Sequence, residues 1–219
     1  MNRRNTIILT ALAAVAIFAG SAFLYSRSAN DAANVAPAAE GNQLVRAHSP
    51  VLGPASAPVT IVEFFDPSCE ACRAFYPTVK QIMATYPEEV RVVIRYTPFH
   101  PASEEAIRIL EAARKQDKFQ RVMEWLLQNQ EQWGADGDPK AERAWELAQE
   151  VGLDLTKAKQ DAVTAEVDAV LAQDVADVKA VGIDGTPTFF VNGKPLPSFG
   201  MQQLTDFVKR EVEASRPKS

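Results

Sequence analysis

The chain has 219 residues, enough for one ordinary hydrophobic core, or one core with a substantial insertion, behind a short targeting region. Its 23 Lys and Arg against 28 Asp and Glu give a formal charge of -5, interspersed and without a basic cluster, which argues against a nucleic-acid partner. Only two cysteines are present, so no disulfide framework and no four-sulfur metal site can be built.

At the N-terminus Arg3 and Arg4 precede Ile7 to Leu24, an uncharged and largely apolar run. This is the pattern of an export signal, and residues 1-25 are read as a signal peptide or a signal anchor. Gly20-Ser21-Ala22 offers small residues for cleavage, yet the run approaches the ~18 apolar residues of a spanning helix, so both fates stay open. In either case the two arginines stay cytoplasmic and the rest lies outside, in the periplasm or at an equivalent extracytoplasmic face. Residues 26-49 begin with an Ala/Asn/Ser-rich stretch without hydrophobic period and read as a flexible tether.

The domain proper is expected over 50-216. Pro50 to Pro58 holds three prolines and a glycine and predicts an irregular lead-in. Val59 to Phe65 is a nearly continuous β-branched and aromatic run, the pattern of a strand covered on both faces. Asp66-Pro67-Ser68 ends it. From Cys69 a helical period runs through Phe75, Val79, Ile82 and Met83 to a stop near Tyr86-Pro87, with Pro77 inside as a kink. Arg91 to Tyr96 alternates and predicts a second strand, joined to the first by a right-handed βαβ crossover.

From about 102 to 181 strand signals vanish and several helices are expected, capped at Ser103, at Asp138-Pro139 and at Asp154, with Gly182 stopping the last. Trp125, Trp133 and Trp145 lie there at amphipathic spacing and are assigned to the core. Thr188 to Val191 reads as a strand, Asn192-Gly193 as a two-residue hairpin turn, Lys194 to Leu196 as the return strand and Met201 to Val212 as a closing amphipathic helix. The order βαβ, helices, ββα defines an α/β class: a thioredoxin-like fold with an inserted all-helical subdomain.

Cys69-Glu70-Ala71-Cys72 sits where a buried strand meets a helix. There the first sulfur faces unpaired amides and the positive end of the helix dipole, which stabilise a thiolate. Cys69 is the expected nucleophile, exposed at the tip, and Cys72, one turn in, the resolving thiol. A zinc site competes poorly, because the only imidazoles are His48 and His100. A purely structural disulfide would close too small a loop to constrain much chain entropy. Glu63 is a lone carboxylate in an apolar strand; it either moves a proton toward Cys72, or pairs with a lysine or reaches solvent.

Ala57-Pro58-Val59-Thr60-Ile61-Val62-Glu63-Phe64-Phe65-Asp66 leading to a CxxC, followed much later by Gly185-Thr186-Pro187-Thr188-Phe189-Phe190-Val191-Asn192-Gly193, resembles the DsbA family of thiol:disulfide oxidoreductases. The resemblance covers about Val51 to the end. It implies a helical domain inserted into a thioredoxin fold, a cis-proline at Pro187 against the active-site sulfurs, and a Thr186 backbone offered to an extended substrate. It also implies that Glu63 matches a buried acid of that family. The dipeptide departs from the pattern, since DsbA has Pro-His where this chain has Glu70-Ala71. Losing an imidazolium and adding an anion both disfavour the reduced, thiolate form, so these two residues are expected to tune Cys69 toward a weaker oxidant than DsbA, with Arg73 acting in the opposite sense.

The partners implied are cysteine-containing exported proteins and a membrane redox protein that restores the working state, with no cofactor and no metal. Isomerase or reductase relatives of the DsbG and ScsC kinds are the main alternative, and a holdase or metal-handling binding protein is the non-enzymatic one. No heptads precede the first strand, which predicts a monomer. His100, in Thr97-Pro98-Phe99-His100-Pro101, reads as a surface-loop histidine.

Overall fold

The computed structural model describes residues 41–135 and 138–216. The signal or anchor expected over 1-25, and the tether up to residue 40, lie outside the described residues. Among the described residues no helix is long and apolar enough to cross a membrane.

A mixed five-stranded sheet in the order β1-β3-β2-β4-β5 organises the molecule. Its centre is β2 (Val59–Phe65) beside β3 (Val90–Tyr96), parallel and in register from Val59 opposite Val90 to Phe65 opposite Tyr96. The crossover between them is α2 (Glu70–Thr85), with Pro77 inside and its end at Tyr86. On the other side of β2 runs β4 (Thr188–Val191), antiparallel, and β5 (Lys194–Pro195) completes the hairpin. Asn192 and Gly193 both hold positive φ, 49° and 77°, as a type I′ turn requires.

The edge strand β1 (Val51–Leu52) was not expected: it pairs antiparallel with Val92 and Val93 inside the stretch read as an irregular lead-in. Two residues between Pro50 and Gly53 carry no periodicity, and only the partner strand makes them a strand.

Between β3 and β4 the chain is helical, as the pattern predicts. The helices are α3 (Ser103–Arg114), α4 (Phe119–Gln128), α5 (Ala141–Glu150), α6 (Leu155–Asp161) and α7 (Ala165–Val181), with a 3-10 turn at Gln130–Gln132 after α4. Asp154 caps α6 by accepting from Lys157 N, and Gly182 ends α7 in the left-handed region. Two expected caps differ. Ser103 is the first residue of α3, its hydroxyl turned to Asp66 instead, and α5 starts at Ala141 after Lys140, with Asp138 paired to that lysine. Trp133 and Trp145 are buried in the core, and Trp125 packs against its edge.

The period-two alternation of the strands separates two cores. Val59, Ile61 and Phe65 of β2 join Val90, Val92, Ile94 and Tyr96 under Cys72, Phe75, Val79 and Ile82 of α2. The same core includes Leu204, Phe207, Val208 and Val212 of α8 (Met201–Ser215) and continues into the helical insert. Val62, Phe64, Val93 and Phe190 face the opposite way and are covered by Val178 and Val181 of α7.

On that second face Arg95 is fully buried, with Nη2 2.8 Å from Asp174 and 2.6 Å from Asp177. The network also holds the chain before β1. Arg46 donates to both oxygens of Asp177 at 2.7 and 2.6 Å, and His48 Nε2 lies 2.8 Å from Asp174. The short helix α1 (Gly41–Leu44) carries Leu44 into the smaller core. Hence the tether expected over 26-49 does not extend to 49: Leu44 to Ser49 is packed on the domain. The sequence hides this because its partners are aspartates about 130 residues away.

Candidate active site

The site forms where β2 ends and α2 begins. Cys69 is the N-cap residue of α2, in extended backbone (φ -73°, ψ 123°), so its sulfur faces the first-turn amides of Ala71 and Cys72. Its own N–H donates to Asp66 O at 3.1 Å. Both thiols are free. Cys72 is fully buried and Cys69 is only 6 % exposed, which corrects the expectation of a sulfur standing free at the tip. Segments distant in sequence cover it. One is the Gly185–Thr186–Pro187 turn, whose Thr186–Pro187 peptide bond is cis. Thr186 O accepts from Cys69 Sγ at 3.2 Å, and Pro187 is buried beside it.

The two sulfurs differ sharply. A hydrogen bond from Cys72, followed by those from the Thr186 side chain and the amides of Cys72 and Ala71, outweighs burial and brings the Cys69 thiol down to about 5. Burial, then the bond to Cys69 and the charge of Glu63, pushes the Cys72 thiol far up. Asp66 N donates to the Cys72 sulfur at 3.5 Å. One cysteine is thus a thiolate at neutral pH and the other a thiol, the division of labour that a nucleophile and a resolving group require.

Glu63 is 2 % exposed and forms no ion pair among the described residues, which leaves neither a lysine partner nor solvent to explain it. Strand parity places it on the face of Ile61 and Phe65, beneath α2. Burial first, and the charge on Cys69 second, push its carboxyl up to about 8. A carboxyl at about 8 is largely protonated at neutral pH, and its charge, when present, acts on Cys72.

Glu70 is exposed and Ala71 half-buried at the start of α2. Arg73, expected to favour the thiolate, turns away to Glu131, Nη1 to Oε1 at 2.8 Å. The principal influences on Cys69 are Cys72, Thr186 and backbone amides rather than these charged neighbours.

Residues the sequence reading passed over hold the site together. Asp66, fully buried, accepts from Ser68 N at 2.8 Å and from the Ser103 hydroxyl on one oxygen. On the other it accepts from Phe99 N at 2.8 Å and His100 N at 3.2 Å. His100 Nδ1 also lies 2.8 Å from Asp66, which corrects its reading as a plain surface-loop histidine. This carboxylate thereby ties the CxxC loop to the loop after β3. Gln130, also buried, donates its amide to Pro67 O at 2.8 Å and to Cys69 O at 3.0 Å, fixing the same loop from the helical insert. An Asp just after a buried strand signals a turn, and the number of donors it gathers is invisible until the second loop is in place.

Beside Cys69 opens a cleft of about 550 Å³ lined by Ser68, Glu70, Ala71, His100, Gln130, Glu131, Gly134 and Ala135. On the other flank Phe75 stacks with Phe189 and with the exposed Phe199, ring centroids 5.5 and 4.8 Å apart.

Comparisons with known proteins agree with this geometry. A thioredoxin family model, Thioredoxin_4, matches residues 46–210. The structure of a thioredoxin-like oxidoreductase from Silicibacter pomeroyi is similar at 34% identity and a TM-score of 0.70, covering 81% of this chain and all of that one. The catalytic domain of Proteus mirabilis ScsC is similar at 25% identity and TM-score 0.63, over 78% and 94% of the two chains. Wolbachia pipientis α-DsbA1, at 16% identity and TM-score 0.66 over 78% and 94%, shares the fold. Among curated sequences, a Na(+)/H(+) antiporter NhaA 3 of Salinispora tropica is 33% identical over 147 residues, 66% of this chain, but the match spans only 22% of the antiporter's length. The chain belongs to the Thioredoxin_4, DsbA-like family of thiol-disulfide oxidoreductases, with Cys69 and Cys72 as its CxxC pair.

Proposed function

We propose that this protein oxidises pairs of cysteines in exported proteins outside the cytoplasm, through the Cys69–Cys72 disulfide. The observation that carries the reading is the asymmetry of the two thiols at the helix N-terminus, with Cys69 held low and lodged against the Thr186 carbonyl beside cis-Pro187.

The steps follow from that asymmetry. A substrate thiolate attacks the Cys69 sulfur and breaks the Cys69–Cys72 bond. Cys72 leaves as a thiolate in a site that strongly favours its thiol, so it takes a proton, and protonated Glu63 is the donor the site offers. The substrate's second thiolate then attacks its own bridged sulfur and expels Cys69, a good leaving group because its thiolate is stabilised. Two electrons have passed to the enzyme, and a membrane redox partner removes them. Thr186 supports the middle step by offering main-chain hydrogen bonding to an extended segment.

A thiol near 5 lies between the ~3.5 of DsbA and the ~7 of thioredoxin, which supports an oxidant weaker than DsbA rather than a reductant. The equilibrium reduction potential of Cys69/Cys72 against glutathione tests the direction. A value between those two proteins supports oxidation, and one as reducing as thioredoxin's would favour an isomerase or reductase kept reduced at the membrane. Cys69→Ser separates both from a binding protein, since only a binder keeps its activity in that variant.

A further inference from the structure

Cys69 holds its sulfur against helix amides only while the peptide that follows it points the right way. The ψ of 123° at Cys69 sets that direction, because rotation about it swings the Cys69 carbonyl and the first turn of α2 together relative to Sγ. Two donors grip this carbonyl. Arg73 N, within α2, donates to it at 3.1 Å, and Gln130 Nε2 donates to it at 3.0 Å from the helical insert. The second Nε2 hydrogen of Gln130 goes to Pro67 O at 2.8 Å. An NH2 group can serve both carbonyls and an amide oxygen neither, so the partners dictate which way the Gln130 amide faces.

Gln130 is itself firmly placed. It is 3 % exposed and opens the 3-10 turn Gln130–Gln132, and its own carbonyl accepts from Trp133 N at 3.2 Å and Gly134 N at 2.7 Å. Trp133 is buried, its indole N–H donating to Leu126 O at 2.9 Å. Gly134 leaves the space the glutamine fills, since a Cβ there would come within 3.2 Å of Gln130 Cγ. The neighbouring Glu131 holds Arg73, the residue after Cys72. A turn anchored in the core of the insert thus grips the start of α2, and the Ala71 and Cys72 amides of that start are among the groups that keep Cys69 a thiolate.

We propose that Gln130 is a positioning residue for disulfide exchange: by fixing the Cys69 carbonyl it holds the first-turn amides of α2 on the Cys69 sulfur, and so makes the nucleophile depend on the helical insert. The inference rests on the disulfide-exchange reading above and adds to it a residue that acts through the Cys69 main chain rather than on either sulfur.

The test compares the parent protein with Gln130→Met, which keeps the side-chain length and loses both donors. The control is Trp145→Phe, which weakens the same insert by removing an indole bond to Glu105 and touches no bond of the Gln130 turn. Thiolate absorbance of each reduced protein is titrated, and its equilibrium with glutathione is measured alongside. Gln130→Met should raise the Cys69 midpoint by about one pH unit, as the loss of well-aimed amides allows, and Trp145→Phe should leave it in place. The reduced form loses the corresponding stabilisation, so the equilibrium moves about tenfold toward the disulfide, about 30 mV in the reducing direction. Gln130→Asn, with the same amide one methylene short, should shift the midpoint in the same sense by less, and it replaces the methionine variant if that one does not fold. A midpoint that moves by less than about a third of a pH unit overturns the positioning role even where urea unfolding shows lost stability, because a merely structural amide changes stability alone. An equal shift in Trp145→Phe overturns it as well. In both cases normal oxidation of dithiothreitol by the parent protein leaves the exchange reading standing, and failure of that oxidation overturns both.

Discussion

Replacing Glu63 by Gln in a protein whose two cysteines are both serine isolates the buried carboxyl from the titration of the thiols. Burial raises this group from an ordinary 4.5 to about 8. A group whose native value lies above its unfolded value contributes stability that is fully present below about 4.5 and is lost as the pH rises through about 8. Each pH unit in that window is worth about 1.4 kcal/mol, so the ionised carboxylate costs the native state up to about 5 kcal/mol, and about half that once water and neighbouring side chains relax around it. With Cys69 replaced, its charge no longer contributes, and the upper end of the window moves somewhat below 8. The assay is urea unfolding of the Glu and Gln proteins across this range. Stability of the Gln protein minus that of the Glu protein should climb through the window and level off above it. The buried amide adds a constant offset that does not affect the slope. A difference that stays flat with pH would refute the burial argument for Glu63 and with it the proton donor for Cys72.

The thiolate absorbance of the reduced protein should titrate with a midpoint near 5, from Cys69, and Cys72 should stay silent through the accessible range. Here the native value is depressed, so the reduced protein gains stability that is complete above about 9 and lost as the pH falls through about 5. A midpoint near the ~8.5 of a free cysteine would contradict the helix-terminus argument. Asp66→Asn leaves buried donors of Ser68, Phe99 or His100 facing an amide, and should destabilise the protein by about 2–4 kcal/mol in urea unfolding. A change under about 0.5 kcal/mol would mean that the two loops are held by something else.

Much of this protein is legible locally. β2 is read from a seven-residue run that is apolar or β-branched except for one carboxylate, the hairpin from Asn192-Gly193, and α2 from its period of three and four, because each depends on neighbours close in sequence. The expectation that Cys69 is the nucleophile rests equally on local order, since a cysteine between a buried strand and a helix start meets the same amides wherever the rest of the chain goes. The helical insert is visible as an absence of strand signals. What the sequence leaves open is decided by groups brought together from far away. Cys69 is covered, not exposed, because Thr186 and Gln130 arrive on it from 117 and 61 positions along the chain. Asp66 becomes the hub of two loops only once the loop after β3 folds against it, and Leu44 to Ser49 joins the domain only because Asp174 and Asp177 face inward beside Arg95. Sequence alone determined the order of the principal strands and helices, β1 and α1 excepted, and the two sulfurs. The tertiary structure decided which buried charges are paired, since pairing depends on distance in space and on the loss of water, and neither is written in the spacing of residues.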